Sequence, residues 1–392
     1  MVTLSSQTCA TNRSRAPLVA SWMVLLVGLM SLHFVLIPIL LHDSGFVPAF
    51  SPVSVQHADA VFDRIPVVRK LLSGLPAWGD LFVYENVSGL AVWPRLPYYL
   101  LALLSVPIAD RLEALPLIAT LLLTPVNAAL LYNLSRRITR SQTQAIITTT
   151  LVLGFSELFV LQPWHWFNLG KVVDTLRGPI FFNAMVNPQI SFIMLCGALI
   201  VLYRLVFTSG RNAIVLNALL YGSSFYTYFY SWTYLTGIYF AVGVYLLWRR
   251  DFRRLYLLVI SVVAGLFLSI LYWVDVLQFQ QAPGYADFQD RFAIGRHIDL
   301  SERMVHLRPH VVTLVGFALV TIRRNARYLF LFLVLLTAEL MWKLPVVLGM
   351  DFQTLHYASF IYGPVSGIVC VIVIGEVFSV IRAYVNRHLR IA

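Results

Sequence analysis

The sequence predicts an all-α integral membrane protein with about ten transmembrane helices, both termini in the cytoplasm and a large first extracytoplasmic loop. Two observations support this prediction. Hydrophobic residues make up 59% of the 392 residues and charged residues only 12%, whereas an ordinary soluble domain has about 25% charged residues. The mean hydropathy is +0.77, and arginines recur in short clusters between long apolar stretches. This composition excludes a soluble globular protein.

The first apolar segment covers residues 18–41 and follows a polar tail that carries Arg13 and Arg15. It is longer than the hydrophobic part of a secretory signal peptide, and no small-residue cleavage site follows it. We therefore expect a retained signal anchor whose N-terminus lies in the cytoplasm.

A helix needs about 20 apolar residues to cross the hydrocarbon core of a bilayer. This length predicts spans near residues 18–41, 114–135, 142–161, 188–207, 213–229, 231–248, 255–277, 309–322, 328–347 and 357–380. The arginine clusters at 136–140, 249–254, 323–327 and 382–390 then fall on the cytoplasmic side. Because cytoplasmic loops of membrane proteins collect Lys and Arg, the charges support this topology.

The topology depends on residues 213–248, where two helices must fit with a hairpin around Tyr226–Trp232. One long helix would invert every later segment, and the arginine clusters argue against that inversion. The apolar stretch 94–110 is short and contains Pro97 and Pro107, so we interpret it as a helix at the outer interface. Residues 1–392 thus form a single membrane domain, with long outer loops at 42–113 and 278–308.

The partners suggested by composition are membrane lipids, since the net charge of +11 comes mainly from arginines that mark topology. A nucleic-acid partner is a poor explanation for this charge. The cysteines suggest neither a disulfide framework nor a metal site, because they lie in the N-terminal tail and in apolar runs: Cys9, Cys196 and Cys370.

The first outer loop gathers carboxylates beside a histidine: His57, Asp59, Asp63, Asp80 and Glu85. Carboxylates next to a membrane face are costly unless they are solvated, paired or used in chemistry. Asp59 is suited to act as a general base towards an acceptor hydroxyl, with His57 tuning its pKa and Glu85 returning to the same face. The alternative is a solvated loop with local pairs such as Asp63 with Arg64.

The later outer loops carry cations against the positive-inside trend: Lys171, Arg177, Arg291 and Arg296. Such cations suit a phosphate held at the membrane surface, and pairing with acidic residues of the same loops is the alternative. Gln353 and His356 lie directly above the last predicted span. A histidine at this place either contributes to a binding site or acts as a cap at the end of a helix.

Two further features fall in or beside predicted spans. The aromatic run from Tyr221 to Tyr234 is explained mostly by core packing and interface anchoring, with a groove for an isoprenoid tail or a sugar as the alternative. Glu157, Glu339 and Glu376 lie within predicted spans, where an ionisable residue is a functional candidate by default. Glu157 and Glu376 are near span ends, from which they can reach water.

The order of these features resembles the GT-C class of polytopic membrane glycosyltransferases, which use sugars carried on polyprenyl or dolichyl phosphate. A span is followed at once by a large outer loop with Asp59 and Glu85, then by the Pro-rich stretch 94–110. Next comes a span that ends in Arg136 and Arg137, and the later outer loops are basic. The resemblance covers the first half of the chain moderately and the second half only in topology.

The resemblance implies an inverting-type transfer in which a first-loop carboxylate deprotonates the acceptor while the lipid phosphate leaves. It assigns Asp59 as the base, supported by His57 and Glu85. No acid is adjacent to Asp59, so the base stays open between Asp59, Asp63 and Glu85. The phosphate would be stabilised by cations of the later loops: Lys171, Arg177, Arg291 and Arg296. No resident cofactor is implied, because the lipid-phosphate sugar is the donor substrate; a divalent metal is the open alternative.

Three other functions compete with this one. A transporter or flippase of a lipid-linked substrate would place charges near the bilayer midplane and show paired halves, and the sequence has no internal duplication. An O-antigen polymerase or ligase would carry its dominant outer loop late in the chain. A non-enzymatic membrane subunit is the last alternative. For the glycosyltransferase and for each alternative, we expect a multi-pass integral membrane protein of a bacterial inner membrane or plasma membrane.

Overall fold

A computed structural model describes residues 22, 65–75, 95–155, 159–161, 165, 167–168, 185–208, 211–281, 285, 289, 296–297, 309–348, 350–351 and 354–389. Apart from turns and one pair of two-residue strands, these residues are helical. The helical character predicted from composition is therefore present in the part of the chain that the structure describes.

Most of the elements along the described part of the chain are helices. The helices are α1 (Ile65–Leu72), α2 (Arg95–Ser105), a 3₁₀ segment (Val106–Ala114), α3 (Leu115–Thr139), α4 (Gln142–Phe155), a π-helical turn (Met185–Ile190), α5 (Ser191–Thr208), α6 (Arg211–Phe225), α7 (Phe229–Trp248), α8 (Phe252–Leu268) and α9 (Ile270–Gln280). The chain continues through β1 (Arg296–His297), α10 (Val311–Arg323), α11 (Ala326–Leu348), β2 (Met350–Asp351), α12 (Thr354–Tyr357), a π-helical turn (Ala358–Tyr362) and α13 (Gly363–Leu389).

Three of the described helices are long and apolar enough to cross a membrane: Ile118–Thr139, Ala326–Leu348 and Ala358–Ser379. A fourth span results if α8 and α9, which meet at a bend of 49°, count as one. The apolar helices Ser191–Phe207 and Val311–Arg323 are shorter than this length. The protein therefore has helices that can span a membrane, while the ten-span topology and its orientation stay predictions.

Residues 213–248 form two helices, α6 and α7, separated by the turn Tyr226–Tyr228. The start of α2 lies against this turn, because the Leu96 amide donates to the Tyr226 carbonyl at 3.0 Å. An ion pair of 2.9 Å joins Arg95 to Asp275 of α9. The stretch 94–110 is thus in contact with the hairpin that the sequence predicts for the outer face.

The bend between α8 and α9 has a visible cause in the Tyr226 side chain. Its hydroxyl donates to the Leu268 carbonyl at 3.0 Å and accepts from the Tyr272 amide at 3.3 Å. In a straight helix these two backbone groups would bond to each other. A side chain inserted into the helical hydrogen-bond ladder is a common cause of a sharp kink.

The largest buried apolar cluster joins α5, α7, α11 and α13, with Tyr234, Leu335 and Ala338 fully enclosed. A second cluster, around Val68, Leu101 and Leu115, holds α1 and α2 against the start of α3. Large apolar side chains remain exposed on α8 and α9. Such apolar helix surfaces are expected where a protein faces lipid rather than water.

Helices α6 and α8 approach closely at a pair of glycines. A Cβ added at Gly222 would lie 2.8 Å from Leu268 Cβ and 2.9 Å from the Gly265 carbonyl oxygen. Small residues at a helix crossing let two backbones come this close, which is typical of helices that associate in a membrane.

We expect Gly222→Ala to lower the free energy of unfolding by about 1–3 kcal/mol, because the clash with backbone forces the two helices apart. The matched control is Gly154→Ala in α4, where an added Cβ meets nothing described within 4 Å. That variant should be stabilised by up to about 1 kcal/mol through helix propensity. Thermal unfolding of the two purified variants in one detergent measures the difference; equal stabilities would contradict the close crossing.

Candidate functional site

Most residues that the sequence predicts for the site lie outside the described residues. These are His57, Asp59, Glu85, Lys171, Arg177, Arg291 and Gln353. Arg296 is described as part of strand β1, and His356 is described with its side chain. The catalytic and phosphate-binding roles assigned to these residues stay predictions.

Strand β1 pairs with β2 in antiparallel register, with Arg296 opposite Asp351 and His297 opposite Met350. The sequence predicts an outer loop at 278–308, which contains Arg296, and places His356 separately, above the last span. The strand pair connects these two parts of the chain, so the backbone of Arg296 lies beside the segment that leads into His356. Two of the predicted site positions therefore belong to neighbouring segments.

His356 sits in an aromatic enclosure, and the Tyr228 hydroxyl forms a hydrogen bond to its Nδ1. The ring centroids of Tyr230 and Phe360 lie 4.9 and 5.2 Å from that of the imidazole. The next residue, Tyr357, shares a hydrogen bond of 2.7 Å with Thr233. These contacts attach α12 to the start of α7 and fix the orientation of the imidazole, which is half-buried.

Beside this enclosure lies a cluster of aromatic rings that we call the hairpin cluster. It consists of Phe225, Tyr226, Phe229, Trp232, Tyr272 and Trp273. Phe225 and Trp232 stack at 4.6 Å, while Phe229 and Trp273 are 45% and 39% exposed. These partly exposed rings can contact lipid, and they could equally contact a sugar ring or an apolar tail of a substrate.

A second polar centre lies within the helices around Glu339 of α11. Its carboxylate accepts the backbone amide of His310 at 2.7 Å and pairs with the Lys343 ammonium. The Glu339 and Lys343 side chains are only 5% and 12% exposed. The sequence singled out Glu339 but missed Lys343, although the spacing of four residues on one helix was a readable signal.

His310 joins this centre to two other segments. Its Nδ1 accepts the Val312 amide at 3.3 Å and so caps α10, while Nε2 lies 3.2 Å from the Val160 carbonyl. These partners assign the ring proton to Nε2 and leave the imidazole neutral. The sequence missed His310, whose only signal was its place immediately before an apolar run.

The described residues contain no group of three or more His, Cys, Asp or Glu side chains that could hold a metal ion. What they contain is an aromatic surface with an oriented histidine and a separate buried pair of opposite charges. Comparison of the sequence with models of protein families and with curated proteins gives no match, so the functional argument depends on the residues and their geometry.

Proposed function

We propose that this protein is a membrane glycosyltransferase that moves a sugar from a polyprenyl-phosphate-linked donor to an acceptor on the extracytoplasmic face. Asp59 is the proposed general base, with His57 and Glu85 as supporting residues. The proposed ligands of the donor phosphate are Lys171, Arg177, Arg291 and Arg296, and the hairpin cluster with His356 would hold the sugar or the start of the lipid tail.

The observation that supports this proposal is the meeting of four segments that are distant in sequence. The start of α2 contacts the turn at Tyr226, Arg95 reaches Asp275 of α9, and Tyr228 bonds to His356 of α12. The sequence predicts every one of these segments for the outer face. Aromatic rings and an oriented imidazole at one place suit a substrate that combines an apolar tail, a phosphate and a sugar.

The first loop leads directly into this place, because it precedes Arg95 in the chain. Glu85 is ten residues before Arg95. A fully extended segment of ten residues spans at most about 36 Å. A carboxylate of the first loop can therefore reach the hairpin cluster without a long connection. This proximity in the chain supports a place for Glu85, one of the proposed supporting residues, beside the aromatic surface.

We expect His356→Ala to reduce sugar transfer by about 10²-fold, because a polar group oriented towards substrate is lost from a binding pocket. Tyr228→Phe removes only the hydroxyl that orients the imidazole and should cost about tenfold. The measurement is transfer of labelled sugar from a synthetic polyprenyl-phosphate donor in membranes that contain each variant.

The control for these variants is the melting temperature of the purified protein, which should fall by less than the activity. Unchanged transfer in His356→Ala would remove His356 from the proposed site. Absence of any transfer by the wild-type chain, across a panel of lipid-linked sugars, would count against the function itself.

A transporter or flippase of a lipid-linked substrate is a second candidate, favoured by the buried Glu339–Lys343 pair and by the bend between α8 and α9. Buried ionisable groups and broken helices are typical of transport pathways. Reconstituted vesicles separate the two functions. Movement of the lipid-linked sugar across the bilayer without a glycosylated product would favour the transporter.

A further inference from the structure

Three arginines converge where α3, α5 and α11 meet, at the end that the positive-inside rule predicts for the cytoplasm. We call Arg137, Arg140 and Arg327 the arginine triad. The Tyr203 hydroxyl of α5 donates to the Arg137 carbonyl at 3.2 Å, and Arg140 follows at the end of the same helix. The Arg327 guanidinium also donates to the Ile138 carbonyl at 3.0 Å. The triad is thus assembled from two helix ends around one tyrosine.

The triad has no carboxylate partner in the part of the chain that the structure describes. Two carboxylates near this end are engaged elsewhere, since Asp251 pairs with Arg254 and Glu376 with Arg323. Gathering like charges is unfavourable unless an anion or water compensates them. The arrangement therefore leaves a concentration of positive charge at the level of the helix ends.

The backbone at Arg140 is in the left-handed region. Arg140 ends α3 with φ of 58°, where glycine is the usual residue because a side chain is strained there. Described non-glycine residues with positive φ are all arginines, the other two being Arg250 and Arg324. Because this conformation recurs at Arg250, a comparison of the two positions separates the effect of the backbone from that of the arginine triad.

We propose that the arginine triad binds the phosphate of an anionic lipid in the cytoplasmic leaflet. Guanidinium groups match phosphate oxygens with paired N–H donors, and they remain charged at every accessible pH. The cytoplasmic leaflet supplies anionic headgroups at the depth where α3 and α11 end. The ligand is thus a structural lipid, at the opposite end of the helices from the proposed transfer site.

The test is the melting temperature of the full chain in nanodiscs of phosphatidylcholine alone or with phosphatidylglycerol added. We expect the anionic lipid to raise the melting temperature of the wild-type chain by about 2–4 °C. Arg140→Gln should lose most of this shift. The matched control is Arg250→Gln, which removes the same charge from a turn with nearly the same φ, 57°, and should keep the shift.

Arg140→Gly separates backbone strain from charge. In phosphatidylcholine it should be at least as stable as the wild-type chain, because glycine accepts the left-handed conformation, yet it should lose the shift caused by phosphatidylglycerol. A full shift in both Arg140 variants would overturn the proposal. An equal rise caused by inorganic phosphate in phosphatidylcholine nanodiscs would overturn the lipid as the ligand.

Discussion

We expect Asp59→Asn to lower the rate of sugar transfer by about 10²–10⁴-fold. Asparagine has nearly the same size as aspartate, but it cannot take up the proton of the acceptor hydroxyl. This is the largest effect on activity that the proposed mechanism predicts. The measurement is the initial rate of transfer from a polyprenyl-phosphate donor in membranes with equal amounts of each protein.

The matched control is Asp110→Asn, which removes an exposed carboxylate from the 3₁₀ segment after α2. Its transfer rate should equal that of the wild-type chain. Glu85→Gln distinguishes the two first-loop candidates, and we expect a smaller loss from it than from Asp59→Asn. Retained activity in Asp59→Asn with loss in Glu85→Gln would move the base to Glu85.

The largest effect on stability should follow Lys343→Met, which leaves the buried Glu339 carboxylate without its counter-charge. Removing one partner of a buried ion pair costs about 3–5 kcal/mol, a large part of the stability of a typical protein. Among the described residues, the donor to Glu339 that remains is the His310 amide, which cannot neutralise the charge. Thermal unfolding in detergent and the yield of folded protein measure the loss.

The double variant Glu339→Gln with Lys343→Met is the decisive control. It keeps an acceptor for the His310 amide but buries no charge, so it should recover most of the lost stability. A double variant as unstable as Lys343→Met would show that lost packing, rather than the uncompensated charge, causes the effect.

The positions of the helices could be predicted from the sequence because apolar length is a local property. The predicted span 328–347 corresponds to Ala326–Leu348, and two helices occupy 213–248. The break inside the predicted span 255–277 could not be predicted. It depends on the hydroxyl of Tyr226, a residue of another hairpin, and no apolar pattern in the span itself reports it.

The sequence identified Glu339, His356 and the aromatic run as candidates but could not group them. His310 meets Glu339 across 29 positions in the chain, and Tyr228 meets His356 across 128. Such contacts depend on how the helices fold together. The histidine that joins Glu339 to the Val160 segment was therefore missed, whereas the residue types suited to sugar or phosphate binding were visible in advance.

The Tyr226 hydroxyl also has a consequence for evolution and design. This one hydroxyl donates to the Leu268 carbonyl and accepts from the Tyr272 amide, on the two sides of the break. The direction of α9 therefore depends on a residue that belongs to neither α8 nor α9. The direction of α9 also determines the position of Asp275, which is the ion-pair partner of Arg95. Away from the close crossing at Gly265, apolar substitutions within α8 or α9 should leave the course of α9 unchanged as long as Tyr226 is kept, and loss of the Tyr226 hydroxyl should change it.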